Sequence, residues 1–196
     1  MKTTFWMLLS TLLAPLAQAD TFQLELGCCG ANQSTNADTK LESDQYLNIR
    51  GRFSIGDSWG AEAGLGGFND LRSETQRDNA GDYYLKFKSR ELMLGLFAYS
   101  DIGRNWQISA SAGWLKYQTN ITLHESYLDL QPAKQQKTEE DGQGYYANLG
   151  LRWRYNHLLS IGPELIYRKQ KALFSGNQRA FDLTTKGALL TLTATF

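Results

Sequence analysis

The sequence predicts an all-β protein, an eight-stranded antiparallel transmembrane β-barrel with short periplasmic turns and long extracellular loops. Three observations predict it. Apolar and polar residues alternate with a period of two through eight segments. The connections between those segments alternate between short and long. The composition is rich in strand formers and glycine, with 5 Trp, 10 Tyr, 9 Phe and 18 Gly against 3 Pro in 196 residues.

The first segment, from near Thr21, alternates Phe22, Leu24 and Leu26 with Gln23, Glu25 and Gly27. The second, Asp44 to Ile55, places Leu47, Ile49, Gly51, Phe53 and Ile55 opposite Asn48, Arg50, Arg52 and Ser54. Gly56-Asp57-Ser58 has the composition of a tight turn. The third, Trp59 to Phe68, sets Trp59, Ala61, Ala63 and Leu65 against Gly60, Glu62, Gly64 and Gly66. The fourth ends near Ser100; the favoured register puts Leu92, Leu94, Leu96 and Ala98 on the apolar face, and the alternative puts Glu91 there. A second short turn covers Asp101 to Asn105. In the fifth, Trp106, Ile108, Ala110, Ala112 and Trp114 share a face, and in the sixth, Gln143 to Tyr155, Tyr145, Ala147, Leu149, Leu151, Trp153 and Tyr155 do. Asn156-His157 is the third short turn, with His157 a surface residue. The seventh carries Leu159, Ile161, Pro163, Leu165 and Tyr167, and the eighth ends the chain with Ala188, Leu190, Leu192, Ala194 and Phe196. Residues 29–43, 69–82, 118–142 and 169–180 are left as long polar loops on the opposite rim.

Residues 1–19 read as a signal peptide: Lys2, an apolar run from Phe5 to Leu13, the helix breaker Pro15 and the small-residue site Ala17-Gln18-Ala19. The run is far shorter than the roughly 20 residues of a membrane-spanning helix. Residues 20–196 then form one barrel domain. Lys plus Arg number 20 and Asp plus Glu 20, so charge does not point to nucleic acid. The mean hydropathy of −0.42 does not exclude a membrane barrel, in which only alternate residues meet lipid. Cys28 and Cys29 are adjacent and face an oxidising compartment after export. A vicinal disulfide, two free thiols and an intermolecular bond all remain open.

The face opposite the apolar one carries Glu25, Arg50, Arg52, Glu62, Arg152, Arg154, Glu164 and Arg168. Alternation alone allows these charges to line a lumen or to coat a soluble, lipocalin-like periplasmic binder. The Gly-rich polar face suits a narrow lumen in which Glu and Arg pair, and two further signs favour lipid. Trp59, Trp106, Trp153, Tyr155 and Phe196 lie beside the short turns, and Trp114, Tyr145 and Tyr167 lie toward the long loops, as two interfacial girdles would. The chain also stops on Phe196 with Leu190, Leu192 and Ala194 at every second position before it.

That tail resembles the C-terminal signature of bacterial outer-membrane proteins, and the whole of 20–196 resembles the OmpA-like and OmpX-like eight-stranded barrels. The resemblance implies outer-membrane localisation and recognition of the terminal strand by the barrel-assembly machinery. It also implies a lumen charge network, here Arg50, Arg52, Glu62, Arg152, Arg154, Glu164 and Arg168. The expected function is non-enzymatic: envelope support or adhesin-like surface contact, with a host or surface ligand held by the extracellular loops. A narrow ion-conducting pore is the first alternative. A lipid A deacylase is the second, because His124 and Ser126, with Glu140 (or Glu139) further on, resemble the site of the PagL group. Tyr127 departs from that pattern, which has Asn there. The expected partners are outer-membrane lipid and lipopolysaccharide. Arg72, Arg77, Lys86, Lys88, Arg90, Lys116, Arg168, Lys169, Lys171 and Arg179 lie toward the long-loop rim, where two readings stay open: contact with lipopolysaccharide phosphates and a solvated loop surface. No cysteine–histidine cluster has metal-ligand spacing and no cofactor motif is present, so no metal and no cofactor is expected.

Overall fold

A computed structural model describes residues 22–35, 41, 44–77, 81–127, 134–173 and 181–196. The signal peptide, Thr21 and Arg179 lie outside the described residues. The strands are β1 (Phe22–Thr35), β2 (Asp44–Gly56), β3 (Trp59–Arg72), β4 (Gln76–Arg77), β5 (Gly81–Ile102), β6 (Trp106–Tyr127), β7 (Lys134–Arg154), β8 (Leu159–Leu173) and β9 (Phe181–Thr195). All pairings are antiparallel. β4 pairs only with β5, and the other eight close a ring, β1 meeting both β2 and β9 and β3 meeting β5. At the seam Phe196 and Phe22 exchange backbone hydrogen bonds of 2.8 and 3.3 Å, and their rings stack at 6.0 Å.

Closure gives each strand an inner and an outer face. On β5 Leu92, Leu94, Leu96 and Ala98 point out while Glu91, Met93 and Phe97 are buried inside, which settles the register left open by the sequence. The outward band continues through Leu47, Ile49 and Leu65 on β2 and β3, Leu149 and Leu151 on β7, and Leu190 and Leu192 on β9, all well exposed. A continuous apolar exterior of this kind marks a membrane surface.

The long loops are shorter than the sequence reading allows. Residues 29–35, 69–72, 81–82, 118–127, 134–142 and 169–173 are strand. The β6–β7 ladder runs unbroken from Trp106↔Trp153 to Glu125↔Lys134. Polar composition hides these strands because above the apolar band their outer face is polar. Alternation persists with the opposite sense: Tyr117, Thr119 and Ile121 are buried, while Lys116 and Gln118 are exposed and Asn120 is half-buried. At about 3.3 Å per residue and a tilt near 40°, Trp106–Trp114 spans roughly 20 Å of height, close to an outer-membrane apolar band. The stretch above Trp114 adds roughly 30 Å by the same arithmetic. Inside it Phe68, Leu71, Phe87, Tyr117, Ile121, Leu173 and Leu183 form an apolar core. The barrel therefore stands on a membrane band and rises into a water-facing tower.

Candidate functional site

The lumen of the membrane band is filled by charge. β1 supplies Glu25, β2 Arg50 and Arg52, β3 Glu62, β7 Arg152 and β8 Glu164, each at most 3% exposed. Arg50 donates to Glu25 and Glu164 and lies 3.9 Å from Glu62. Arg52 donates to Glu62 at 2.8 Å and sits 3.1 Å from Glu25 and 3.7 Å from Glu164. Arg152 donates to Glu25. Three guanidinium groups and three carboxylates are thus cross-linked across five strands. Above them Met93, Leu115 and Tyr146 form a small apolar layer, and Tyr146 donates to Glu62 at 2.8 Å.

A second polar tier follows. Arg168 lies 3.5 Å from Glu91 and stacks 4.3 Å over the Tyr46 ring, while Tyr46 donates to Glu91. Gln170 donates to Glu91 at 2.8 Å and Ser89 at 2.9 Å, and accepts from Thr119 at 3.1 Å. The two tiers hold Arg50, Arg52, Arg152 and Arg168 against Glu25, Glu62, Glu91 and Glu164, four charges of each sign. Such charges are tolerated in a low dielectric only when each is paired and hydrogen-bonded. Lumenal glycines make the room. A β-carbon at Gly66, Gly95 or Gly142 would collide with the hydroxyl end of Tyr46, Tyr146 or Tyr117 respectively.

One residue expected in this network is elsewhere. Arg154 is half-buried at the short-turn rim, 3.1 Å from Asp101 and 3.4 Å from the Arg104 carbonyl. β7 has passed out of the dry lumen at its last residue, so water and an exposed carboxylate solvate that guanidinium. Conversely, Glu25 and Glu91 belong to the network. Charge balance is the signal that points to them: the expected set held five Arg and two Glu, which no dry lumen holds without more carboxylates.

Among the basic positions expected at the long-loop rim, Arg168 faces the lumen instead, because its place on β8 shares the inward parity of Glu164 and Ile166. Lys88, Arg90, Lys116, Lys169 and Lys171 do point outward just above the apolar band, and Lys186 joins them. Lys171 and Lys186 lie over the Tyr145 and Tyr167 rings at 5.1 and 5.6 Å, and those rings stack at 6.1 Å. Glu139, Asp141 and Asp182 are the acids near this collar, and Asp182 pairs with Lys169 at 2.8 Å. Trp59, Trp106, Trp153, Tyr155 and Phe196 face outward at the other rim. Higher on the tower, hydrogen bonds from Arg72 and Lys86 to Asp70 lower that carboxyl's pKa to about 2. Arg77 likewise lowers Asp82, which it grips at 2.5 and 2.8 Å.

His124 and Ser126 share the outer face of β6 near the tower top. The His124 ring stacks on Tyr84 at 4.8 Å. Glu140 has the opposite parity and pairs with Thr119, five positions from His124 and roughly 16 Å along the ladder. The three groups are not brought together. Among the described residues no group of three His, Cys, Asp or Glu side chains could hold a metal.

An antiparallel ring of eight strands, an apolar belt outside and a paired charge network inside define an eight-stranded barrel of the outer-membrane type. Solved structures with this fold include Ail, the attachment invasion locus protein of Yersinia pestis, at a TM-score of 0.54 and 12% identity, covering 90% of this chain and 98% of Ail. Ail has also been solved with the heparin analogue sucrose octasulfate. Neisserial surface protein A matches at a TM-score of 0.52 and 9% identity, covering 89% of this chain and 97% of its own. Neither a protein-family model nor a curated protein sequence matches the chain.

Proposed function

We propose that this protein is an integral barrel of a bacterial outer membrane with no catalytic role, which holds a rigid β tower above the lipid for surface contact. Residues 1–19 would direct export, and the Leu190-Leu192-Ala194-Phe196 tail would be read by the assembly machinery. The observation that carries the reading is the reversal of polarity along β5 and β6. Above the Trp114–Tyr145–Tyr167 collar the β5–β6 ladder continues with a polar exterior, and Phe87, Tyr117 and Ile121 are buried beside the polar tier of Ser89, Glu91 and Thr119. Building such a structure into water is of no use to a protein that only seals a lumen. It suits a protein that presents a stiff surface beyond the headgroups. The cationic collar faces the height at which anionic phosphates of lipopolysaccharide would lie. The packed lumen charges support a closed barrel rather than an ion path.

The fold is shared with a protein named for attachment and invasion, so attachment is the first activity to assay. The β6–β7 hairpin is cut back to Gln118 and Asp141 and closed with Asn-Gly. Bacteria expressing the full chain are expected to bind a cell or matrix surface that bacteria expressing the shortened barrel do not, with both proteins heat-modifiable in the outer membrane. Equal binding by the two strains, or none by either, contradicts the surface-contact reading.

A further inference from the structure

Cys28 and Cys29 sit where β1 leaves the apolar band. Along β9 the register runs to Cys28↔Leu190 and resumes at Ala31↔Gly187, leaving Cys29 and Gly30 without partners on that side. Along β2 the pairing is continuous from Cys28↔Leu47 to Ala31↔Asp44. The irregularity is local to the cysteines: φ is +86° at Cys29 and +21° at Gly30. Cys29 is the one non-glycine residue with positive φ among the described residues, a conformation that L-residues seldom adopt.

In a regular strand, adjacent side chains point to opposite faces. Cys29 has the parity of Gly27 and Ala31, which are buried in the lumen, yet it is exposed. The twist at Cys29 has turned its side chain outward, to the face that Cys28 occupies. The two sulfurs consequently lie 2.7 Å apart. The geometry points to a thiol pair brought together for bonding, and we propose that Cys28 and Cys29 form a vicinal disulfide in the exported protein.

Closure needs an oxidant, and a protein disulfide of the thiol-oxidase class in the export compartment supplies it. The exposed Cys29 thiolate attacks a sulfur of that disulfide, forming a mixed disulfide and releasing one thiol. The Cys28 thiolate then attacks Cys29 Sγ and releases the second thiol. Two cysteines lose two protons and two electrons, and the oxidant's disulfide gains them. The product is an eight-membered ring that fixes the outward twist of β1 at the boundary between membrane band and tower. Because the ring is exposed and closes over adjacent residues, it belongs to the labile class of disulfides that exchange with external thiols. The inference depends on export, which is part of the proposed function, but not on the membrane.

The test uses the full chain purified from cells after an acid quench of its thiols. Neither cysteine is expected to take N-ethylmaleimide before reduction and both after it, and the unreduced peptide holding both should be lighter by two hydrogens. In Cys29→Ser, Cys28 should label fully without reductant. Two labels per chain without reductant, a reductant-sensitive dimer, or a Cys28 that stays unlabelled in Cys29→Ser each overturns the proposal. Heat-modifiable mobility of the same samples separates the two ideas. A membrane barrel with free thiols sinks this inference alone, and a soluble protein with the disulfide sinks the membrane reading alone.

Discussion

Below the collar of Trp114, Tyr145 and Tyr167, the barrel wall carries Leu94 and Leu96 outside and Arg50, Glu62 and Glu164 inside. Above it, on β5 and β6, Lys88 and Gln118 are outside and Phe87, Tyr117 and Ile121 inside. The hydrogen-bonded ladder is indifferent to the change; β5 and β6 stay in one register from Ile102↔Trp106 to Gly81↔Tyr127. What changes is the solvent. Lipid cannot satisfy a charge, so the band turns its ions inward and pairs them. Water drives apolar groups inward, so the tower buries Phe87, Tyr117 and Ile121 over the hydrogen-bonded tier around Glu91. One architecture is held together by two different forces, and that difference can be broken at chosen points.

The largest loss is expected in the charged lumen. Arg50 touches three carboxylates, and Arg50→Ala leaves them under-compensated, costing about 3–5 kcal/mol. The check is the urea midpoint for unfolding from detergent micelles or vesicles. A comparable total, roughly 3–5 kcal/mol, is expected for Phe87→Ala in the tower core, but with a different pattern. Hydrogen exchange should rise in 81–90 and 115–127 while the amides of the band stay protected. Uniform loosening of both regions would show that the tower has no separate core.

On the outer face the contrast should be sharper still. Leu96→Arg puts a charge near the middle of the lipid band and should cost roughly 2–4 kcal/mol. Lys88→Leu, outward on the same strand in the tower, should stay within about 0.5 kcal/mol. Equal costs at the two sites would mean that both lie in the same solvent. The smallest effect concerns Asp70. Because hydrogen bonds from Arg72 and Lys86 hold its pKa at about 2, below the unfolded value, its contribution is present above about pH 4. That contribution is lost as the pH falls from there through 2. An NMR titration of the Asp70 carboxyl should find its midpoint near 2, and a midpoint near 4 would show the pairing to be absent in solution.

The membrane band is legible in the sequence because its outer face alternates with large apolar residues from Leu47 to Ile55 and from Trp106 to Trp114. The upper strands are not, because Lys116-Tyr117-Gln118-Thr119 reads as a polar loop when an apolar outer face is the template. The inner pattern of Tyr117, Thr119 and Ile121 was present but had the opposite phase. Alternation assigns a charged residue to a face and says nothing of its height. That is why Arg154, at the water-filled rim, and Arg152, at the bottom of the dry network, look alike in sequence. Cys29 is the reverse case: its parity gives the lumen, and only the backbone twist places it outside.

A change of solvent around the barrel at the collar is read out by single-cysteine scanning of β5 in vesicles, with Cys28 and Cys29 replaced by Ser. Leu96→Cys, Leu94→Cys and Leu92→Cys should resist a water-soluble maleimide, and a lipid-borne quencher should quench a fluorophore attached there. Arg90→Cys, Lys88→Cys and Lys86→Cys should react with the maleimide and escape the quencher. Rapid reaction at Leu96→Cys in a folded, heat-modifiable barrel would contradict the account, because the apolar belt would then face water.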